Sequence, residues 1–291
     1  MIQTIAEHLE KAVSALGFVA VATLIAWQLG FFRIPYRQEE NEVTVVSTFG
    51  IFGLYFFVQM VLVPFFFYIG WFILNGEESL NFYGHVENKE IGWLSLAMML
   101  STTLFLLVYS LVLGPGIRKT VWNSGSHGFR GKVKSGIIGV LTWLITYPWV
   151  LIIGQLVAIV MVIYYGESPP ETDQSIVKHL KDVFSDKTLF FMTIASVTIG
   201  IPISEELLFR GFFQNLLKKV TSVFWSVVIS SVFFSFLHFS TGQGLANWHI
   251  VLALFVISCF LGYVYERQKN LWAPIALHIT VNSVSTAILF L

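Results

Sequence analysis

The sequence predicts an all-α membrane protein, a polytopic helical bundle of about eight transmembrane helices. Hydrophobic residues make up 56% of the 291 residues and charged residues only 12%, with a mean hydropathy of +0.75. A soluble domain of this size carries about a quarter charged residues. The apolar residues also fall in long runs, as spans need, because a bilayer core of about 30 Å takes about 20 residues of helix. Composition and run length together exclude the soluble globular class.

Eight apolar runs meet this length criterion. We expect the spans at residues 12–32, 48–74, 92–114, 135–164, 188–217, 222–240, 248–265 and 272–290. The fifth run is the least regular, because Gly200 and Pro202 interrupt it just before a charged cluster. Proline removes a helix hydrogen bond and usually kinks a span. A break in the helix is therefore predicted at this point.

The basic residues orient the spans. The loop 115–134 carries five Lys or Arg residues and no acidic residue, so the positive-inside rule places it in the cytoplasm. Alternation of the spans then puts eleven of the 17 Lys and Arg residues on that side, among them Arg33, Arg37, Lys218 and Arg267. The pattern predicts a multi-pass protein of the cell membrane with both termini outside the cytoplasm.

Charge and cysteine content limit the partners. The formal net charge is zero, which gives no bulk attraction to nucleic acid. The single cysteine, Cys259, excludes an intramolecular disulfide and a cysteine-rich metal site. We therefore expect the lipid bilayer, and no nucleic acid, as a partner, while the oligomeric state is not indicated.

A charged cluster lies deep in the fifth span. Glu205, Glu206 and Arg210 stand in the middle of an apolar run, and charges at membrane depth are costly and mark functional sites. Glu206 and Arg210 are four residues apart and can pair on one helix face. This pair could also have a purely structural role. Glu205 points about 100° away from Glu206 around the helix and is left without this partner. Glu205 is therefore the candidate general base.

Further polar residues follow in later spans. His238 ends the sixth predicted span, while His278 and Asn282 are four apart on one face of the eighth. Counted at 1.5 Å per residue, Glu205 lies about 20 Å from Lys218 and Asn282 lies at a similar depth. The groups can therefore converge within the bilayer.

Two kinds of hydrolytic chemistry fit these groups. In the first, Glu205 and His238 activate a water, while His278 and Asn282 stabilise an oxyanion. In the second, two histidines and one carboxylate hold a catalytic zinc. Two functions without hydrolysis stay open as well. Intramembrane Glu and His residues also form proton relays in transporters, and the chain could act as a membrane scaffold.

The order of the motifs resembles a known family. Glu205-Glu206-x-x-x-Arg210, Phe234-x-x-x-His238 and His278-x-x-x-Asn282 on successive spans are similar to the CPBP family, the CAAX-protease and bacteriocin-processing group of intramembrane proteases. The stretches Leu261-Gly-Tyr-Val-Tyr-Glu-Arg and Leu271-Trp-Ala-Pro-Ile-Ala-Leu-His278 add to the resemblance. It covers about residues 136–291, so we expect a CAAX-protease-like core at 135–291 and a three-span N-terminal extension at 1–134.

The resemblance also implies roles for the residues. Glu205 would be the water-activating base with His238 as its partner, Glu206 and Arg210 would support the site, and His278 and Asn282 would form the oxyanion hole. These catalytic positions imply a CAAX-type peptidase without a cofactor, acting on a peptide or membrane-protein substrate, with zinc as the alternative. Some family members are linked to bacteriocin immunity, so an immunity protein is a further alternative.

Overall fold

The structure is a computed structural model that describes residues 1–34, 40–75, 88–123, 128–166, 175–240, 244 and 246–290. Within these ranges the chain forms ten helices and no strand, counting a run that continues through a π turn as one helix. In chain order they are α1 (Ile2–Gln28), α2 (Val45–Leu74), α3 (Asn88–Val112), α4 (Pro115–Asn123), α5 (Phe129–Tyr165), α6 (Ser175–Asp182), α7 (Lys187–Leu217), α8 (Val223–Phe236), α9 (Ala246–Gln268) and α10 (Trp272–Leu289). The predicted all-α bundle is confirmed.

Seven of the described helices are long and apolar enough to cross a membrane, namely α1, α2, α3, α5, α7, α9 and α10. The sixth predicted span, residues 222–240, is wrong in its length, because α8 has only 14 residues and ends at Phe236. Such a helix is about 21 Å long, which is less than the bilayer core. Two short helices, α4 and α6, lie between the spans and were not expected.

The turn that follows α8 is held by one buried side chain, Asn247. Its carbonyl oxygen accepts a hydrogen bond from the Ser240 backbone N–H at 2.9 Å, and its amide donates to the Ser240 carbonyl oxygen at 2.6 Å. The amide also donates to the Gly244 carbonyl oxygen at 3.0 Å. Non-helical backbone at membrane depth must find such partners within the protein. Asn247 therefore satisfies backbone groups of the turn at Ser240 and Gly244.

The helix that carries the charged cluster, α7, is continuous. The predicted break at Gly200 and Pro202 is wrong, because a π turn over Ser196–Gly200 precedes the proline and a second one over Leu207–Phe213 follows the glutamates. A π turn is a wider helical turn with i to i+5 hydrogen bonds in place of the usual i to i+4 bonds. Such turns are frequent at functional sites. The two glutamates thus lie in a short α-helical segment, Ile201–Glu206, between two wider turns.

The segments predicted to face the cytoplasm gather at one end of the bundle. Arg267 donates through its Nε to the Phe31 carbonyl oxygen at 2.6 Å, and the Asn41 amide donates to the Asn215 carbonyl oxygen at 2.6 Å. The contacts agree with the predicted alternation of spans, although Arg37 of the same predicted face lies outside the described residues. Which side of the membrane this end faces stays a prediction.

Glu266 lies at this end and corrects a sequence-based expectation. A glutamate beside Arg267 at a helix end is expected to reach the interface, but Glu266 is fully buried. Its two carboxylate oxygens pair with the ammonium groups of Lys218 and Lys269, each at 2.9 Å, and one of them accepts from the Gln214 amide at 2.9 Å. The cluster ties the end of α7 to the end of α9.

The opposite end is held by α7's first residues. Asp186 accepts a hydrogen bond from the Leu189 backbone N–H at 3.1 Å and pairs with Lys89 of α3 at 3.0 Å. The Leu189 N–H lowers the pKa of Asp186, and Lys89 adds to the effect. The carboxylate thus caps α7 in its charged form and fixes α3 beside it.

The tightest crossing in the core joins α5 to α10 and yields a prediction. A Cβ added at Gly139 would overlap the backbone carbonyl oxygen of Ala273, whereas a Cβ at Gly136 would lie 4.0 Å from the Ala276 Cβ. We expect Gly139→Ala to lower the free energy of unfolding by about 2 kcal/mol, because backbone cannot move aside as a side-chain end can. Denaturation in mixed detergent micelles measures this. Gly136→Ala is the matched control on the same helix, and equal stability of the two variants would contradict the packing described.

Candidate active site

The two adjacent glutamates of α7 point into different surroundings. The Glu206 side chain is fully buried, and 20% of the Glu205 side chain is exposed. This difference follows from the helix, since consecutive side chains point about 100° apart. Glu205 therefore has access to a cavity, while Glu206 lies inside the packed bundle.

Glu206 belongs to a buried ionic network. Its Oε1 accepts a hydrogen bond from Arg210 Nη1 at 2.9 Å, so the pair predicted from the i, i+4 spacing is present. Arg210 Nη2 donates to the hydroxyl and the carbonyl oxygen of Ser258 on α9 at 2.6 and 3.1 Å. The guanidinium also lies over the Phe234 ring at 4.9 Å, a cation–π contact. The network connects α7, α8 and α9 at the level of the glutamates.

His278 of α10 connects the two glutamates. Its Nδ1 lies 2.8 Å from Glu206 Oε1, and its Nε2 lies 3.6 Å from Glu205 Oε2. Glu206 Oε1 accepts from Arg210 and acts as the acceptor for His278 as well, so Nδ1 carries the hydrogen. In the neutral ring, Nε2 then presents its lone pair toward Glu205.

His238 lies in the turn after α8, not on the predicted span helix. Its Nδ1 is 2.9 Å from the Phe234 carbonyl oxygen, and because a carbonyl only accepts, Nδ1 carries the hydrogen here too. Its Nε2 faces Glu205 Oε1 at 3.7 Å. Both Glu205–histidine separations exceed a usual hydrogen-bond length, so neither contact is a direct hydrogen bond. At 36% exposure, the His238 side chain is the most open of the three.

Asn282 lies one turn after His278 on α10. Its amide nitrogen donates to the Val197 carbonyl oxygen at 3.0 Å. Val197 belongs to the π turn of α7, where the backbone ladder is irregular. An amide nitrogen carries two hydrogens, so this bond orients the group and leaves the second hydrogen to donate elsewhere. The structure thus brings Glu205, Glu206, Arg210, His238 and His278 into one connected cluster and holds Asn282 beside the same helix.

Two contributors were missed by sequence reasoning. Ser258 carried no signal, because it is one small polar residue in an apolar run. Phe234 belongs to a predicted motif but was given no role in the site. Its ring lies between Arg210 and the two histidines, with centroid separations of 4.9 Å to His238 and 6.0 Å to His278. The Ser204 hydroxyl bonds to Thr103 at 2.9 Å and to the Gly200 carbonyl oxygen at 3.1 Å, and neither partner is a base that could activate it as a nucleophile.

The side chains of the site include groups that can act as metal ligands. Within the described ranges, no group of three or more His, Cys, Asp or Glu side chains is arranged to hold a metal ion. Glu205, His238 and His278 nevertheless include the donor types of a catalytic zinc site. The chemistry of these side chains therefore fits zinc, while their arrangement is looser than a coordination sphere.

Part of the chain matches a known protein family. Residues 187–284 match the family model described as type II CAAX prenyl endopeptidase Rce1-like, and this segment contains all six predicted site residues. The predicted resemblance to the CPBP family is confirmed for this segment. No solved structure matches the chain.

Two curated proteins of Bacillus subtilis (strain 168) are similar to the chain. Putative membrane peptidase YdiL is 32% identical over 92 residues, which are 32% of this chain and 34% of that protein. Uncharacterized protein YpbD is 31% identical over 104 residues, which are 36% of this chain and 48% of that protein. The chain therefore matches about a third and about half of the length of these relatives.

Proposed function

We propose that the protein is an intramembrane endopeptidase that hydrolyses a peptide bond with a water activated by Glu205. The observation that carries the proposal is the position of the Glu205 carboxylate. Its two oxygens face the Nε2 atoms of His238 and His278 at 3.7 and 3.6 Å, in a bundle of membrane helices. The match to the CAAX endopeptidase family supports a CAAX-type peptidase, and the similarity to the putative membrane peptidase YdiL supports a peptidase in general. The substrate is a peptide or a membrane-protein segment.

The first step is the activation of water. A water between Glu205 and His238 donates one hydrogen to the carboxylate and the other to His238 Nε2, which is an acceptor because Nδ1 donates to Phe234. Glu205 takes the proton as the water oxygen attacks the carbonyl carbon of the substrate. The Phe234 carbonyl keeps the imidazole in the required tautomer.

The second step needs donors for the oxyanion. Asn282 supplies its second amide hydrogen, since the first is held by Val197. His278 acts as the second donor in its doubly protonated form, since only this form carries a hydrogen on Nε2. The doubly protonated ring donates through Nδ1 to Glu206 and through Nε2 to the oxyanion.

The third step releases the product. The proton held by Glu205 passes to the amide nitrogen as the carbon–nitrogen bond breaks, which restores the carboxylate. Glu206 and Arg210 act as positioning residues, because they touch His278 and α9 but not the reacting atoms. The cycle therefore consumes one water and leaves every side chain unchanged.

Two alternatives follow different observations. A zinc-dependent version of the same protease would use Glu205, His238 and His278 as ligands and would place the nucleophilic water on the metal. A non-proteolytic membrane scaffold or bacteriocin-immunity protein would not need Glu205 at all. The first alternative differs from the proposal in its need for zinc, and the second in its independence from Glu205.

The test is cleavage of a fluorogenic peptide library by the purified protein, with its metal content measured in the same preparation. We expect cleavage with no stoichiometric zinc and unchanged rates in the presence of a chelator. One zinc per chain with chelator-sensitive cleavage would contradict the metal-free mechanism and assign the three side chains as ligands. Absence of cleavage across the library, with folded protein, would favour the scaffold.

A further inference from the structure

A cavity of about 250 Å³ lies beside Glu205, between α2, α3 and α7. Glu205 forms part of its wall, so whatever occupies the cavity is adjacent to the carboxylate that is proposed to activate the water. Its apolar wall includes Met98, Met99 and Ile201. Neither α8 nor α10, which carry the histidines, contributes to the lining.

The polar part of the wall includes a hydroxyl without a partner. Gln59, Ser95 and Thr102 line the cavity, and Thr102 is only 2% exposed. Among the described residues, no group hydrogen-bonds to the Thr102 hydroxyl. The neighbouring Thr103 instead makes the usual bond to a carbonyl one turn back, Met99, at 2.9 Å. Buried polar groups are almost always bonded, so the Thr102 hydroxyl indicates a polar group of a ligand in the cavity.

We propose that this cavity binds one substrate side chain next to the bond that is cut, and that it selects an apolar side chain of the size of Leu, Met or Phe. The inference rests on the proposed function. A volume of about 250 Å³ is below that of typical small-molecule sites, about 300–1,000 Å³, and suits a single side chain. Thr102 and Gln59 bond to the backbone of the bound residue, while the flexible methionines adapt to its side chain.

The location of the cavity gives the N-terminal spans a role in the selection of substrate side chains. α2 and α3 lie outside residues 187–284, the segment that matches the Rce1-like family. The chemistry and the side-chain selection therefore come from different parts of the chain. Relatives that share the catalytic segment but have other preceding helices would select other side chains.

The test uses peptides that differ in one residue beside the cleaved bond, with Gly, Ala, Leu, Phe or Asp at that position. Ser95→Phe fills the cavity, and we expect kcat/KM for the Leu and Phe peptides to fall about tenfold while that for the Ala peptide stays within about twofold. Met98→Ala enlarges the cavity and shifts the preference toward Phe. Met60→Ala, on an exposed position of α2, is the matched control and leaves the preference unchanged.

The outcomes separate this inference from the proposed function. An unchanged preference in both Ser95→Phe and Met98→Ala, with cleavage that still depends on Glu205, overturns the pocket and leaves the protease standing. Full cleavage by Glu205→Gln overturns the proposed function itself. Binding of fluorescent Leu and Gly peptides to Glu205→Gln reports on the pocket without turnover. We expect the Leu peptide to bind about tenfold more tightly, and equal binding would contradict the pocket.

Discussion

Replacing Glu205 with glutamine lowers the rate of peptide cleavage by about 10³-fold, because the amide cannot take the proton of the attacking water. The variant keeps the shape of the side chain. Its amide nitrogen takes the place of one carboxylate oxygen and can donate to the Nε2 lone pair of the histidine that faces that oxygen, His238 at 3.7 Å or His278 at 3.6 Å. The site should therefore stay assembled while the chemistry stops. Steady-state kcat on a fluorogenic peptide, measured at equal amounts of folded protein, gives the result.

Glu10→Gln is the matched control for this variant. It makes the same change at an exposed position of α1, far along the chain from the cluster, and should keep full activity. Folded yield and the unfolding midpoint of Glu205→Gln are compared with those of the native protein. Retention of more than about a tenth of the native rate would contradict the assignment of Glu205 as the base.

Replacing Arg210 with alanine lowers the free energy of unfolding by about 3 kcal/mol or more, as expected when one partner of a buried ion pair is removed. Glu206 is fully buried and would lose its 2.9 Å partner, and Ser258 would lose both bonds from Nη2. Activity falls as well, because His278 takes its position from Glu206. Denaturant titration in detergent micelles and the yield of monodisperse protein measure the loss.

Two controls separate charge from packing in this prediction. Arg118→Ala removes an exposed arginine of α4 and should change stability by less than about 0.5 kcal/mol. The double variant Glu206→Gln with Arg210→Met leaves no uncompensated charge, so its stability should recover in part while its activity stays low. Equal stability of Arg210→Ala and the native protein would show that the buried pair is not what holds α7 to α9.

Much of the fold could be predicted because the position of a membrane span depends on the local amino-acid composition. Run length alone identifies seven helices that are long enough, and it fails at α8, where Leu237 and Phe239 extend the apolar run beyond the last helical residue. The turn that follows α8 is fixed by Asn247, whose side chain bonds to Ser240 from the next helix. Glu266 shows the same limit. Its partner Lys218 comes from another helix, so the sequence around it indicated an exposed residue.

The candidate site was predictable where it depends on spacing within one helix. The Glu206–Arg210 pair follows from four residues of separation, and the same rule places His278 and Asn282 on one face. Contacts between helices carry no such signal, so the bond from Arg210 to Ser258 and the bond from His278 to Glu206 were not anticipated. The catalytic roles of the six residues stay predictions until the variants are measured.

The short helix α8 has a consequence for the membrane around the protein. A bilayer with a hydrocarbon core of about 30 Å does not match an apolar helix of about 21 Å, and lipids accommodate such a mismatch by thinning locally. We expect headgroups and water to move inward beside the polar turn that carries His238, which follows the end of this helix. Under the proposed function, water would reach Glu205 along this side of the bundle, and hydrolysis would take place beside a locally thinned bilayer.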